Sequence, residues 1–177
     1  MNKLVSVQNL SVGIERPDSD LALTDSVSFD VHEGEMLGLV GESGCGKTVT
    51  ALATLGLLPD GGGKLLSGSV KWGEKSIHDL NSESLREMRG QTMSMIFQEP
   101  SSAMNPLYTV AYQLEECFKL HKLKVDQGRI HELLSQVGFP DPSRILSSYP
   151  HELSGGQLQR VMISMALMLK PKLIIAD

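Results

Sequence analysis

The stretch Gly41-Glu42-Ser43-Gly44-Cys45-Gly46-Lys47-Thr48 limits what this chain can fold into more than any other. It satisfies the pattern GxxxxGK(S/T) at every fixed position. Directly before it, Met36-Leu37-Gly38-Leu39-Val40 is a short apolar run of the kind that forms a buried parallel strand. Directly after it, Val49 to Leu58 is rich in Ala and Leu, has no internal Pro, and reads as a helix. Strand, glycine-rich turn and helix start together make an anion cradle. Glycines let the backbone wrap closely, and the N–H groups of the turn and helix start point at phosphate oxygens, reinforced by the helix dipole. In that cradle Lys47 would reach the β- and γ-phosphates and Thr48 would place its hydroxyl on Mg²⁺.

Composition narrows the setting. A 177-residue chain with 41% hydrophobic residues can bury one good-sized core, or one core and a small appendage. Its net charge of -5 argues against nonspecific nucleic-acid binding, so no nucleic-acid partner is expected. The two cysteines, Cys45 and Cys117, form no metal-ligand spacing, and a disulfide at Cys45 would disrupt the loop; a reduced compartment is expected. The N-terminus lacks a signal-peptide core, and no apolar run approaches the roughly 20 residues that span a bilayer. The chain is expected to be soluble and to reach a membrane only by docking on another protein.

In chain order, Lys3 to Leu10 alternates as a half-buried strand, and Leu21 to Val31 reads as a second, with Val27, Phe29 and Val31 spaced two apart. Glu15 to Asp20 is a loop, and His32 to Glu35 a tight turn into the phosphate-loop strand. After the helix come a loop over Pro59 to Gly63, a short strand over Ser69 to Trp72, and a capped helix from Asn81-Ser82 to Gly90. Met93 to Phe97 is a buried strand that delivers Gln98. Thr109 caps a helix carrying Val110, Leu114, Cys117 and Phe118. Ile130, Leu133, Leu134 and Val137 form a second apolar stripe, ended by Gly138. Both stripes are helix-packing faces. A third helix spans Gly155 to Lys170, with Val161, Met165 and Leu169 in one row, and Lys172 to Ala176 is a strand that ends at Asp177.

Leu153-Ser154-Gly155-Gly156-Gln157 opens that third helix with an N-cap residue and two glycines that allow close approach to an anion. Leu173-Ile174-Ile175-Ala176-Asp177 sets an acid at a strand end. With the phosphate loop, these three signals stand in a specific order, and the chain resembles the nucleotide-binding subunit of an ABC transporter along essentially its whole length. Gly41 to Thr48 matches Walker A, Gln98 the Q-loop glutamine, Leu153 to Gln157 the LSGGQ signature and Asp177 the Walker B aspartate. Met95 to Pro100, Met104 to Val110, Ser148 to Leu153 and Arg160 to Leu167 resemble the oligopeptide/dipeptide/nickel importer group.

The resemblance implies an α/β fold with a P-loop NTPase (RecA-like) core, an N-terminal antiparallel β layer and an inserted α-helical subdomain, truncated at the C-terminus. Residues 1–98 would form the β layer and core, 99–152 the helical subdomain, and 153–177 the signature helix and Walker B strand. It implies an ATPase that energises import of peptides, nickel chelates or similar solutes. Two subunits, alike or different, would sandwich two ATP molecules. Lys47, Gln98, Ser154 and Gly156 would act in hydrolysis; Gly41 to Thr48 and Ser154, Gly155, Gly156 and Gln157 would bind nucleotide; Thr48, Gln98 and Asp177 would hold Mg²⁺. The partners implied are a second ATP-binding subunit, transmembrane permease subunits and, indirectly, a solute-binding protein, at the cytoplasmic face of the membrane.

Three departures from the family pattern stand out. The glutamate, D-loop and switch histidine that follow Walker B are not in the chain, and His151 precedes the signature. A fragment of a longer subunit, binding nucleotide weakly and hydrolysing it poorly alone, is therefore expected. The place of an adenine-stacking aromatic falls near Ile14. Cys45 stands where small residues are frequent, and a thiol at a helix N-terminus is expected to react readily and to be protected by ATP. Two other readings remain open: a soluble ABC ATPase acting outside transport, and a hydrolysis-deficient fragment that only binds nucleotide. A small-molecule kinase is disfavoured, because LSGGQ has no role in that chemistry.

Overall fold

The computed structural model describes residues 2–17, 19–58 and 62–177. The chain divides into two compact units, Met1–Arg86 and Glu87–Asp177.

The first unit is built on a five-stranded antiparallel sheet. Its axis is β1, Lys3–Ile14, which pairs with β2 (Leu21–Ala22), β3 (Val27–His32) and β4 (Gly63–Trp72); β5 (Lys75–Ser76) extends β4. The strand expected to stop at Leu10 continues to Ile14 because of a bulge. Asn9 takes a φ of +46°, and the pairing of β1 with both neighbours slips there. An inserted residue flips the side-chain parity of a strand. Val5 and Val7 before the bulge and Leu10 and Val12 after it are therefore all buried. Across from the bulge Gly68 has a φ of +83°, and a Cβ there would collide with the Asn9 carbonyl. Only glycine fits. The strand expected over Ser69 to Trp72 accordingly begins earlier, at Gly63, paired with the outer half of β1.

The strand expected over Leu21 to Val31 is two strands. Between them the amides of Leu23 and Thr24 both donate to the Val12 carbonyl, at 2.8 and 3.1 Å, and the buried Thr24 hydroxyl accepts from the Val12 amide at 2.9 Å. The run Met36 to Val40 is not a strand: it has no ladder partner among the described residues, and Met36 and Val40 are 97% and 90% exposed. An apolar run becomes a strand only where a neighbouring edge completes its backbone hydrogen bonds. Helix α1 spans Lys47–Thr54, shorter than the Val49–Leu58 expected at its C-terminal end and longer at its start. Of the loop expected over 59–63, residues 59–61 lie outside the described residues.

Helix α2, Ser82–Gln91, is capped by Asn81, whose side chain accepts from the Ser84 amide at 2.8 Å; its helical geometry ends at Met88, before Arg89 and Gly90. The second unit pairs β6 (Met93–Ile96) with β7 (Leu173–Ala176) in parallel. Around them lie α3 (Pro100–Ala103), α4 (Val110–Lys119), α5 (Gln127–Gln136), α6 (Pro142–Ser147) and α7 (Gly155–Leu167). Val110, Leu114 and Phe118 of α4, Ile130, Leu133 and Leu134 of α5, and Leu158 and Val161 of α7 close one apolar core. Of the row expected on α7 only Val161 is fully buried; Met165 and Leu169 pack at the margin. Helix α7 stops at Leu167, because Lys170, at a φ of +56°, precedes Pro171 and cannot continue it. The buried Gln113 amide donates to the carbonyls of Asn105 and Tyr108, both at 3.0 Å, and fixes the turn before α4.

Gly68→Ala imposes both a left-handed backbone and a clash on the sheet, and is expected to lower stability by about 2 kcal/mol or more. Urea unfolding checks this; an unchanged midpoint would contradict the bulge assignment.

Candidate functional site

The phosphate-loop segment belongs to the first unit. Its rear wall is the Leu23–Thr24 segment that hangs from β1. Gly46, with a φ of +92°, lies against it so closely that a Cβ would meet the Leu23 carbonyl at 2.8 Å and the Thr24 methyl at 2.7 Å. Gly46 is also the N-cap of α1, without a side-chain cap of its own. The first turn of α1 is held instead from inside: the Thr50 amide and hydroxyl both donate to the Gly46 carbonyl, at 2.9 and 3.0 Å, and the buried Thr54 hydroxyl donates to the Thr50 carbonyl at 2.8 Å.

The loop curls round Lys47. Its ammonium donates to the carbonyls of Gly41 at 3.0 Å and Glu42 at 2.7 Å, with the Cys45 sulfur at 3.7 Å. The Cys45 amide donates to the Glu42 carbonyl at 3.3 Å, closing the turn. The result is an exposed loop with a cation at its centre and a helix N-terminus at its end, the electrostatic arrangement that favours a polyanion. Thr48 lies in the first turn of α1. Neither Thr24 nor Thr50 was legible as part of this site in the sequence, because each acts through a tertiary contact or a back-bond that no motif spacing encodes.

The second unit carries the other predicted residues. Ile96 pairs with Ala176 at the carboxyl ends of β6 and β7, and the Asp177 amide donates to the Ile96 carbonyl at 3.0 Å. The two parallel strands thus bring Gln98 and Asp177 to one edge of the sheet, and carboxyl edges are where α/β sheets place ligands. Ser154 caps α7 in a capping box: its amide donates to the Gln157 side chain at 2.9 Å, and its hydroxyl accepts from the Gln157 amide at 3.4 Å. Around Gly155 and Gly156 a Cβ would meet nothing within 4 Å. Glycine in a helix costs about 0.5–1 kcal/mol relative to Ala. The fold does not require these two, and their bare backbone fits close approach from outside.

The two thiols differ in setting. Cys45 is exposed on the loop, whereas burial pushes the Cys117 thiol up to about 11. Since the thiolate is the nucleophile, Cys117 stays protonated and slow at pH 8. Titration with a maleimide should show one fast equivalent that Cys45→Ser removes, and a second released on unfolding. Equal rates at the two thiols would contradict the geometry.

A profile of the family described as "ABC transporter" matches residues 24–177. The dipeptide transport ATP-binding protein DppD of Bacillus subtilis is 42% identical over 180 residues, covering 100% of this chain and 54% of that protein. The peptidoglycan transport ATP-binding protein YejF of Agrobacterium fabrum is 46% identical over 177 residues, covering 98% of this chain and 32% of its own length. The chain therefore spans about half the length of the first of these curated relatives and a third of the second. A dimeric, post-hydrolysis structure of the ATP-binding cassette MJ0796 bound to ADP and Pi superposes with a TM-score of 0.82 at 25% identity, covering 98% of this chain and 73% of that one. The chain shares the α/β cassette fold of that structure and belongs to the ABC transporter family.

Proposed function

We propose that this chain binds and hydrolyses ATP to energise the import of peptides or related small solutes. The observation that carries the reading is the closed loop of Gly41 to Thr48 around the Lys47 ammonium at the N-terminus of α1. The substrate class follows the relatives, whose names specify dipeptide and peptidoglycan transport.

In this reading the loop amides and Lys47 bind the β- and γ-phosphates and stabilise the charge that develops as the γ-phosphoryl group leaves. Thr48 in the first unit, and Gln98 and Asp177 in the second, are each assigned as oxygen donors to Mg²⁺ on the family resemblance, the donor type that suits this ion. When bound, the ion would neutralise phosphate charge. Gln98 would also orient the attacking water. Ser154, Gly155, Gly156 and Gln157 would close over the γ-phosphate of a nucleotide held by a second ATP-binding subunit, which accounts for two glycines that nothing inside the fold requires. The helical segment 99–152 would serve as a subdomain reaching permease subunits. No described helix is long and apolar enough to cross a membrane, so the coupling is assigned to partners: transmembrane permease subunits and, through them, a solute-binding protein, at the cytoplasmic face.

The test is nucleotide binding and turnover by the purified chain beside Lys47→Ala. Removing the cation should weaken ATP binding at least about tenfold, an effect of about 1.4 kcal/mol or more, and reduce hydrolysis to background. Equal ATP affinity in the two proteins would overturn the reading.

A further inference from the structure

Two arginines join α5 to α7 in a reciprocal pattern. Arg129, in the first turn of α5, donates from Nη2 to the carbonyl of Leu167, the last residue of α7, at 3.2 Å. Its Nη1 is held by Glu132 at 3.1 Å, and only 16% of the side chain is exposed. Arg160, in the first half of α7, donates from Nη1 to the carbonyl of Gly138 at 3.2 Å. Gly138 closes the C-terminus of α5: its amide donates to Ser135 and that of Phe139 to Leu134, both at 3.0 Å. Each helix thus sends a guanidinium to the C-terminal end of the other, which requires the two to run antiparallel. Both acceptors lie where helix carbonyls lack intrahelical partners and the dipole is negative, so the bonds are charge-assisted.

We propose that Arg129 and Arg160 are positioning residues that fix the direction in which α7 presents Ser154 to Gln157. The two anchor points on α7, at residues 160 and 167, are two turns apart, about 10 Å along the axis. Burial of Leu158 and Val161 seats α7 in the core, and the two guanidiniums brace it against tilting over that seat. Because both bonds resist the same tilt, removing either releases the motion that removing both does. Arg160 is also one turn beyond Gly156 on the same helix face, so the anchor nearer the signature acts directly behind it. The consequence for catalysis rests on the function proposed above, in which these amides meet the γ-phosphate.

The experiment compares wild type, Arg129→Met, Arg160→Met and the double variant, with Met keeping most of the stem packing. Amide ¹⁵N relaxation dispersion at Ser154 to Leu158 should at least double its exchange contribution in each single variant, while the core amides of Leu133 and Leu134 stay unchanged. ATP turnover should lose about tenfold in kcat in each single variant, with KM within twofold. The double variant should match the singles within twofold rather than multiply to a hundredfold loss. Flat dispersion in the singles, equal loosening of the core amides, or multiplicative loss would overturn the proposal. If wild type and Lys47→Ala handle ATP alike, the ATPase reading fails instead, and the dispersion data still decide the clamp.

Discussion

A single ammonium at the centre of a turn organises the candidate site. Lys47 holds the carbonyls of Gly41 and Glu42, which draws the loop into a ring at the start of α1. That ring needs a wall behind it and a helix that begins at the right residue. The wall comes from Thr24, which clasps Val12 in both directions, and from the absence of a Cβ at Gly46, which lets the loop seat against it. The helix start comes from Thr50 and Thr54, whose hydroxyls bond backward into the preceding turn. Two hydrogen bonds between Thr24 and Val12 and one bare backbone position at Gly46 therefore seat the surface loop against a segment tied to β1.

The second unit solves a different problem, holding a helix end open. Ser154 and Gln157 satisfy each other, so the first turn of α7 is complete without covering the backbone of Gly155 and Gly156. The helix behind that turn is fixed by burial of Leu158 and Val161 in the core shared with α4 and α5. Parallel pairing of β6 with β7 sets Gln98 and Asp177 at a common edge with no further device. In both units rigidity sits behind the exposed residues, as a preorganised site demands.

Much of this was legible in the sequence because the signals are local. A glycine at positive φ, an N-cap serine or threonine and an apolar stripe ended by glycine each act within a few residues, and Gly46, Ser154, Thr109 and Gly138 stand where those rules put them. The signals that misled depend on distant partners. Met36 to Val40 has the composition of a buried strand, but composition cannot supply the neighbouring edge that makes one. The end of β1 was missed because the bulge at Asn9 exchanges the two faces of the strand, and the start of β4 because Gly68 has meaning only opposite that bulge. The different settings of Cys45 and Cys117 were half visible: the motif located the first, and only packing reveals the burial of the second.

In the proposed function the ring around Lys47 receives the phosphates of ATP. Cys45, whose sulfur lies 3.7 Å from the Lys47 ammonium, reports on it directly. The decisive measurement is the rate of Cys45 alkylation with and without saturating Mg-ATP, with AMP as the control that lacks the β- and γ-phosphates. ATP should protect Cys45 at least tenfold and AMP little. Equal labelling rates in all three conditions would contradict it.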